Sequence, residues 1–294
     1  MKILVTGANG LLGQHLVNLL LFEAYSVMAT GRGKSRFPFT YGLGYASVDL
    51  SEADRIYRTF EAYNPDVVVH AGAMTQVDEC ETNRDACSIT NIDGTINIIK
   101  AAERFSKHLI YISTDFVFDG KRGNYVEDDL PDPVNYYGKT KLRAEELVRQ
   151  TSLDWTIVRT CLVYGNSFEG TRSNIITWVK ENLEQHKKIK VVNDQIRTPT
   201  YVEDLANGIF LVIKNKAKGV YHISGDEILT PYQMAIKTAD YFGLDKNLIE
   251  EVNASTFSQP AKRPQKTGFD ISKAVKELGF RPGSFNEGLK RMFE

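Results

Sequence analysis

The sequence has few cysteines and almost no net charge. Cys80, Cys87 and Cys161 are its three cysteines among 294 residues, and no two of them have CxxC spacing. Such a sparse, odd-numbered set argues against a disulfide framework and a zinc ribbon and is typical of a reducing compartment. The 36 Lys and Arg residues balance 37 Asp and Glu residues. This balance gives the whole molecule no attraction to nucleic acid or to an anionic membrane.

Long apolar runs and clustered histidines are also missing. The N-terminal apolar stretch breaks at Thr6-Gly7, and Leu16–Phe22, the most apolar later run, contains Asn18. A membrane helix needs about 20 apolar residues, so we expect no membrane span and a cytoplasmic protein. The five histidines have neither HxxxH nor HxH spacing, and we expect no metal site.

What is present is an alternation of β-branched runs with longer amphipathic stretches. Hydrophobic residues make up 42% and charged residues 25%, as in ordinary globular proteins. Strands are predicted at 2–5, 25–29, 45–48, 66–70, 108–113 and 155–159, and helices at 11–24, 51–62, 84–105 and 134–150. Ser51 and Asp54 suggest a capping box for the second of these helices. The strict alternation predicts a Rossmann-like α/β fold, a doubly wound parallel sheet with helices on both faces.

A glycine motif links the first strand to the first helix. Gly7, Gly10 and Gly13 form GxxGxxG within TGANGLLG. Glycines at such a turn let the backbone approach a pyrophosphate, and the helix N-terminus offers free N–H groups and partial positive charge. The strand–glycine–helix context predicts a dinucleotide site.

The end of the second strand indicates which dinucleotide binds. NAD-binding proteins usually carry an acid there, whereas NADP-binding proteins use an arginine nearby. This chain reads Met-Ala-Thr-Gly-Arg over 28–32, with no acid and with Arg32. The pattern favours NADP(H), with NAD(H) as the alternative; Arg32 could otherwise be a solvated loop residue.

Beyond Gly165 the alternation loosens. Short strands at 189–192 and 220–223 mix with helices, one of which is predicted to begin with Thr230 as N-cap and Pro231 as first residue. We expect an NADP-binding Rossmann-like domain over 1–165. Residues 166–294 are expected to form mainly a smaller mixed α/β cap that binds substrate, with some segments crossing back to the sheet.

Tyr137 and Lys141 are candidates for the chemistry. Four residues apart on a predicted helix, they share one face. An ammonium stabilises a nearby phenolate, which would lower the phenol pKa from about 10 toward neutrality and suit it to act as a general acid in carbonyl reduction. Thr114 closes the fifth strand, where its hydroxyl can donate to a substrate carbonyl; alternatively Ser113 and Thr114 simply begin a turn.

These motifs resemble those of the extended short-chain dehydrogenases/reductases, and within them the dTDP-4-dehydrorhamnose reductase family. The resemblance covers nearly the whole chain. It rests on TGANGLLG (6–13), VDL (48–50), HAGAMTQVDECE (70–81), NIDGT (91–95), STDFVFDG (113–120), YGKTK (137–141), RTCLVYG (159–165) and DQIRTPTYVEDLA (194–206). STDFVFDG and DQIRTPTYVEDLA are the segments most specific to this branch.

The resemblance implies hydride transfer from NADPH to C4 of a nucleotide-linked 4-keto-6-deoxy sugar, converting dTDP-4-dehydrorhamnose to dTDP-L-rhamnose. Thr114, Tyr137 and Lys141 are then the catalytic residues, the last two also contacting the cofactor. The further cofactor contacts implied are Gly7, Asn9, Gly10, Leu11, Leu12, Asp49, Leu50, Ala71, Gly72 and Ala73, beside Arg32.

For the substrate, the resemblance implies contacts from Thr75 and Val77. Two positions depart from the family pattern. Leu162 stands where a tryptophan is usual, and Arg197 stands where a small residue is usual. A lost aromatic surface and a gained cation put the exact sugar in doubt, although Arg197 could aid binding of a diphosphate.

Two alternatives stay open. One is another extended short-chain dehydrogenase, a reductase or an epimerase, acting on a different nucleotide sugar. The other is a non-catalytic NADP-binding regulatory subunit like that of methionine adenosyltransferase. A homodimer is a fair expectation for a soluble enzyme. His70 is interpreted as a satisfied core residue, and the consecutive Glu145 and Glu146 as solvated.

Overall fold

The computed structural model describes residues 1–38, 42–166, 168 and 174–294. Its centre is a parallel sheet of seven strands. In chain order these strands are β1 (Lys2–Thr6), β2 (Ser26–Gly31), β3 (Leu43–Ser47), β4 (Val67–His70), β5 (His108–Thr114), β6 (Asp154–Thr160) and, later in the chain, β10 (Gly219–His222).

The sheet confirms the predicted α/β fold. Its strand order is β10-β6-β5-β4-β1-β2-β3, and every neighbouring pair is parallel. From β1 the chain adds strands first on one side, as β2 and β3, and then on the other, beginning with β4. Ligands of open α/β sheets bind in the crevice at such a reversal, beyond the carboxyl ends of the strands.

Both faces of the sheet are covered, which explains its continuous apolar strands. In β4, Val67 and Val69 pack into the core on one face, whereas Val68 packs into the core on the other. Alternate side chains of a strand point to opposite faces, so a strand buried on both sides is apolar at every position.

Helices fill the connections. They are α1 (Leu11–Phe22), α2 (Ala53–Tyr63), α3 (Val77–Thr82), α4 (Arg84–Ser88), a π-helical turn (Ile89–Asp93), α5 (Gly94–Phe105), α6 (Tyr136–Arg149), α7 (Ile175–Glu184), α8 (Val202–Asn215), α9 (Pro231–Phe242), α10 (Ser272–Leu278) and α11 (Phe285–Phe293). Within the described ranges, none of these helices has the length and apolar character to cross a bilayer.

The predicted capping box of α2 is wrong. Glu52 is the N-cap, and the Ser51 hydroxyl donates instead to the Asp49 carboxylate at 2.7 Å. Short polar side chains often form such local bonds in competition with a helix cap. The predicted start of α9 is confirmed, because the Thr230 hydroxyl accepts from Gln233 N–H in a complete capping box, with Pro231 as first residue.

The C-terminal part combines a small α/β unit with elements of the main sheet. The parallel pair β8 (Ile189–Val192) and β11 (Ile249–Val252) packs with α7 and α9 around its own apolar cluster. A second short pair joins β7 (Val163–Tyr164) to β9 (Thr200–Tyr201). β10 instead pairs with β6, and α8 packs on α1. These elements place residues of the C-terminal part above the carboxyl edge of the sheet.

Gly7 should tolerate no side chain. Its φ is +67°, and a Cβ there would lie 2.6 Å from Gly72 N. Gly243 has a similar φ of +64° but open space around it. We expect Gly243→Ala to cost only the left-handed backbone strain of about 1–2 kcal/mol, and Gly7→Ala to cost clearly more because β1 and the segment after β4 must separate.

Urea unfolding of both variants measures this difference. Gly243→Ala is the matched control for backbone strain. Equal losses of unfolding free energy in the two variants would contradict the close approach at Gly7.

Candidate active site

A cavity of about 750 Å³ opens at the carboxyl edge of the sheet, beneath the C-terminal part. The structure brings all the sequence-predicted site residues to its wall. They are Gly7, Asn9, Gly10, Leu11, Leu12, Arg32, Asp49, Leu50, Ala71, Gly72, Ala73, Thr75, Val77, Thr114, Tyr137, Lys141, Leu162 and Arg197.

The glycine loop forms one end of the cavity. Gly10 is the N-cap of α1 and makes no side-chain cap, so the first N–H groups of the helix face the cavity without a capping oxygen. A Cβ at Gly13 would lie 2.4 Å from the Gly7 carbonyl oxygen, so helix and loop pack backbone to backbone. This is a cradle suited to a pyrophosphate.

Asn9 ties this loop to the segment after β2. Its amide donates to the carbonyls of Arg32 (3.0 Å) and Lys34 (2.9 Å), and its Oδ1 accepts from Arg36 N–H at 3.1 Å. Arg32 and Arg36 both line the cavity. Sequence reasoning identified Arg32 but missed Arg36, although its place four residues further along the same loop was a usable signal. The two cations make this end of the cavity suited to a phosphate.

Asp49 and Leu50 line the same end of the cavity. The Asp49 carboxylate accepts from the Ser51 N–H at 2.9 Å and from the Ser51 hydroxyl. The pKa of Asp49 is lowered, chiefly by that N–H bond, with a smaller contribution from the charge of Arg32. The Leu50 side chain packs beside Gly72, where an added Cβ would lie 3.0 Å from Leu50 Cδ1.

The start of α6 is pressed against the segment that follows β5. Asn135 is its N-cap, and the Asn135 side chain accepts from Gly138 N–H at 2.9 Å. A Cβ at Gly138 would lie only 2.1 Å from the Phe116 carbonyl oxygen, so glycine is required for this approach. The approach brings Tyr137 beside Thr114 at the end of β5.

Lys141 lies one turn further along α6 and is 3% exposed. Its Nζ donates to the Ile112 carbonyl at 2.7 Å and lies 4.1 Å from the centre of the Tyr111 ring. Burial lowers the pKa of Lys141 to about 7, against an opposing effect of Glu145. Neutral and charged forms of this amine are therefore both accessible near pH 7.

The phenol of Tyr137 behaves differently from the sequence-based expectation. Burial raises the pKa of Tyr137 above its usual value, with a hydrogen bond to Thr114 acting in the opposite direction. The expected lowering is wrong for this structure, because the Lys141 ammonium is bonded to the Ile112 carbonyl and burial dominates. Tyr137 is therefore protonated at neutral pH, the form that a proton donor needs.

Thr114 is 7% exposed, and its hydroxyl is turned into the protein. It donates to Asp115 Oδ1 at 3.1 Å and accepts from Phe116 N–H at 3.2 Å. Asp115 itself also lines the cavity and was missed by sequence reasoning. Its adjacency to Thr114 in STDFVFDG was a signal that could have pointed to it.

Glu145 is a second residue that sequence reasoning missed. The interpretation that Glu145 is solvated is wrong: its side chain is 0% exposed and accepts from Arg159 Nε (2.9 Å), Arg159 Nη2 (2.7 Å) and the Ser113 hydroxyl (2.6 Å). Glu146 is exposed, as expected. Glu145 lies four residues after Lys141, so its shared helix face was the available signal.

The opposite wall holds the predicted substrate residues. Thr75 and Leu162 are exposed in the cavity, and Val77 is half-buried. Arg197 is 4% exposed, and its guanidinium nitrogens donate to protein oxygens, including the Pro264 carbonyl at 2.8 Å. Its side chain is thus part of the wall and engaged within the protein.

Arg263 borders the cavity and was also missed. It forms a bidentate ion pair with Asp78, with distances of 3.0 and 2.6 Å to the two carboxylate oxygens. Asp78 also accepts from the Ala261 N–H at 3.1 Å. These bonds connect the segment around 261–263 to the start of α3 at the edge of the cavity.

His70 is confirmed as a core residue. It is 1% exposed, and its ring nitrogens bond the hydroxyls of Thr6 (2.7 Å) and Thr95 (3.1 Å). Burial lowers the pKa of His70 to about 3, so the ring is neutral. Among the residues that the structure describes, His, Cys, Asp and Glu side chains form no group of three that could hold a metal ion.

A glycine cradle at the reversal point of a parallel sheet, with a tyrosine and a lysine one turn apart in the same cavity, defines a Rossmann-like NAD(P)-dependent oxidoreductase of the extended short-chain dehydrogenase class. The particular family follows from the sequence comparison. The chain belongs to the RmlD substrate binding domain family, which matches residues 1–294. The resemblance inferred from the motifs is confirmed.

Three relatives illustrate what the chain is similar to. It is 32% identical to the spore coat polysaccharide biosynthesis protein SpsK of Bacillus subtilis, covering 100% of this chain and 97% of that protein. It is 31% identical to methionine adenosyltransferase 2 subunit beta of Mus musculus, covering 98% of this chain and 86% of that protein. A crystal structure of dTDP-4-dehydrorhamnose reductase from Bacillus anthracis in complex with NADP is 31% identical, with a TM-score of 0.86 over 99% of this chain and 98% of that one.

Proposed function

We propose that the protein reduces the C4 ketone of a nucleotide-linked 4-keto-6-deoxy sugar with NADPH, converting dTDP-4-dehydrorhamnose to dTDP-L-rhamnose. The observation that carries this proposal is the placement of Tyr137, protonated and buried, in the same cavity as the glycine cradle and Arg32. Similarity over the whole chain to a dTDP-4-dehydrorhamnose reductase supports the substrate class.

The cavity residues fit NADPH. The backbone around Gly7, Gly10 and Gly13 forms a loop that a pyrophosphate could approach closely, and a Cβ at either outer glycine would collide with the protein backbone that shapes this loop. Arg32, supported by Arg36, would hold the 2′-phosphate, and Asp49 and Leu50 would lie by the adenine. NADPH, when bound, supplies the hydride. NADH is the weaker alternative, because no acid stands at the end of β2 to take a ribose 2′-hydroxyl.

Tyr137 would give its proton to the C4 oxygen as that oxygen gains charge. A buried phenol is protonated at neutral pH and loses its proton only when a strong base, such as the developing alkoxide, comes within reach. Lys141, in its charged form, would stabilise the resulting phenolate and bind the nicotinamide ribose. Thr75, Val77 and Leu162 would contact the sugar nucleotide from the opposite wall.

A substrate panel tests this function. NADPH oxidation is followed by absorbance after the addition of enzymatically generated dTDP-4-dehydrorhamnose. Parallel assays use other 4-keto nucleotide sugars, including sugars linked to UDP or GDP. We expect turnover with the dTDP-linked 4-keto-6-deoxy sugar. A folded protein that binds NADPH but oxidises it only with another member of the panel would overturn the rhamnose assignment and keep the reductase class.

Cofactor binding should take up a proton above pH 7. The pKa of Lys141 lies near 7, so at pH 8 most of the amine is neutral. An anionic cofactor favours the ammonium, so NADPH binding at pH 8 should take up to about one proton. Uptake should disappear below pH 6, where Lys141 is already charged.

Calorimetry in two buffers of different ionisation enthalpy measures this uptake. Lys141→Met should lose it, whereas Lys139→Met, an exposed change on the same helix, should keep it. Identical uptake in the wild type and Lys141→Met would mean that the proton goes elsewhere.

The second candidate function is regulatory NADP binding without turnover. It is favoured by the 31% identity, over 98% of this chain, to methionine adenosyltransferase 2 subunit beta. NADPH binding without oxidation by any 4-keto sugar nucleotide, together with a stable complex with a methionine adenosyltransferase catalytic subunit, would support this candidate against the reductase.

A further inference from the structure

The segment that leaves β2, residues 31–36, carries two of the cations at the cofactor end of the cavity. Arg32 and Arg36 both line that cavity. Four consecutive carbonyl oxygens of the segment, those of 31–34, accept hydrogen bonds from two side chains, Asn9 and Tyr45. A carbonyl oxygen carries partial negative charge and would repel a phosphate. Engaging all four carbonyls within the protein therefore favours anion binding by the two arginines.

Asn9 supplies most of these bonds. Its Nδ2 lies 3.0 Å from the Arg32 carbonyl oxygen, 2.9 Å from the Lys34 carbonyl oxygen and 2.8 Å from the Tyr45 hydroxyl. Its Oδ1 accepts from Arg36 N–H at 3.1 Å. Three acceptors share the two hydrogens of this amide, so none remains for a cofactor. The Asn9 side chain therefore holds the segment after β2 in one shape.

Tyr45 completes the arrangement from β3, the strand at the edge of the sheet. Its hydroxyl accepts from the Asn9 amide, and its hydrogen is directed at the Gly33 carbonyl (2.9 Å) and the Gly31 carbonyl (3.2 Å). Tyr45 pairs with Ala29 in the parallel register of β2 and β3, so the sheet fixes the position of this side chain. Burial raises the pKa of Tyr45, so the hydroxyl keeps its proton and can donate at neutral pH.

We propose that Asn9 and Tyr45 are positioning residues, which select NADPH over NADH by holding Arg32 and Arg36 in place for the 2′-phosphate. This inference rests on the proposed use of NADPH and deepens it. A guanidinium whose backbone is already held in place loses less conformational freedom when it binds a phosphate. Tyr45 acts through the arginines, since it is not among the described residues that line the cavity.

Binding of the two cofactors measures this preference without turnover. Fluorescence titration gives the Kd of NADPH and of NADH for the wild type and for Tyr45→Phe, which keeps the ring and loses the hydroxyl. We expect Tyr45→Phe to weaken NADPH binding about ten-fold and to change NADH binding by less than about two-fold. Tyr63→Phe is the matched control, because the Tyr63 hydroxyl bonds the Ser26 hydroxyl at 3.0 Å at the start of β2. It should leave both affinities unchanged.

A mutant cycle separates positioning from a general loss of structure. If Tyr45 acts through the arginines, Tyr45→Phe should change the ratio of the two Kd values no further in a protein that already carries Arg32→Met and Arg36→Met. Asn9→Ala is the second variant and should lower the preference for NADPH in the same direction. Equal weakening of both cofactors in Tyr45→Phe, or a full additional loss of preference in the protein without the two arginines, would overturn the proposal.

The wild-type result separates this inference from the proposed function. A wild type that binds NADPH and NADH equally would overturn the NADPH assignment itself, and the positioning role with it. A wild type that prefers NADPH, with the preference kept in both Tyr45→Phe and Asn9→Ala, would overturn the positioning role alone. Neither result depends on which sugar the protein reduces.

Discussion

Tyr137→Phe should lower kcat by about a thousand-fold, because the reacting oxygen loses its proton donor. NADPH should still bind, since the ring remains and the cradle around Gly7 is untouched. The change removes only one hydroxyl from a buried ring, so the unfolding free energy should change by no more than about 1 kcal/mol. Steady-state kinetics with NADPH and the nucleotide sugar measure the first effect, and fluorescence titration measures the second.

Tyr136→Phe is the matched control for this variant. Tyr136 is the neighbouring tyrosine on α6 and lines no part of the cavity described above. Removal of the Tyr136 hydroxyl should leave kcat within about two-fold of the wild-type value. A similar fall in both variants, or a Tyr137→Phe enzyme that retains most of its activity, would remove Tyr137 from the role of acid.

Arg159→Met should destabilise the protein by about 3–5 kcal/mol, because Glu145 would remain as a buried charge with only the longer contact to Arg149 Nη2, at 3.8 Å, as an ion pair. Both side chains are almost fully buried, and two hydrogen bonds of 2.9 and 2.7 Å join them. Glu145→Leu should lower the unfolding free energy by a comparable amount, because the Arg159 guanidinium would be left buried without a carboxylate. The double variant should recover most of the loss, since an apolar pair of similar size leaves no stranded charge. Urea unfolding of the four proteins at pH 7 measures the coupling.

An exposed pair on the same helix provides the contrast. Arg143 and Glu146 are bonded at 2.8 Å, but their side chains are 52% and 47% exposed. Arg143→Met should therefore cost less than about 1 kcal/mol. Additive losses in the Arg159 and Glu145 double variant would show that the two side chains stabilise the fold independently and would contradict the coupling of the pair.

Features encoded by short spacings were predictable from the sequence. Three such features are local in the sequence: the glycine loop, the Tyr137–Lys141 spacing and the alternation of neighbouring strands and helices. Local backbone geometry determines how such residues face one another. Such spacings pointed to the glycine loop and to the Tyr137–Lys141 pair, whereas Thr75, Val77 and most cofactor contacts were anticipated only through the resemblance.

Features that depend on burial and on distant partners were not predictable. Glu145 contacts Arg159 only because β6 lies beneath α6. From the sequence alone, two consecutive acidic residues predict solvent-exposed side chains. Burial lowers the pKa of Lys141, and burial raises the pKa of Tyr137. Arg197 takes its position from carbonyls of 264 and 265, almost 70 residues away in the chain.

The most direct measurement follows a label through the reaction. NADPH carrying deuterium at C4 of the nicotinamide, in each stereochemical form, is incubated with the protein and dTDP-4-dehydrorhamnose, and the sugar product is analysed by NMR. We expect deuterium at C4 of the product from one of the two forms only, with one equivalent of NADPH oxidised. Product without deuterium from either form would contradict hydride transfer, and no product from a folded protein that binds NADPH would contradict the reduction of this sugar.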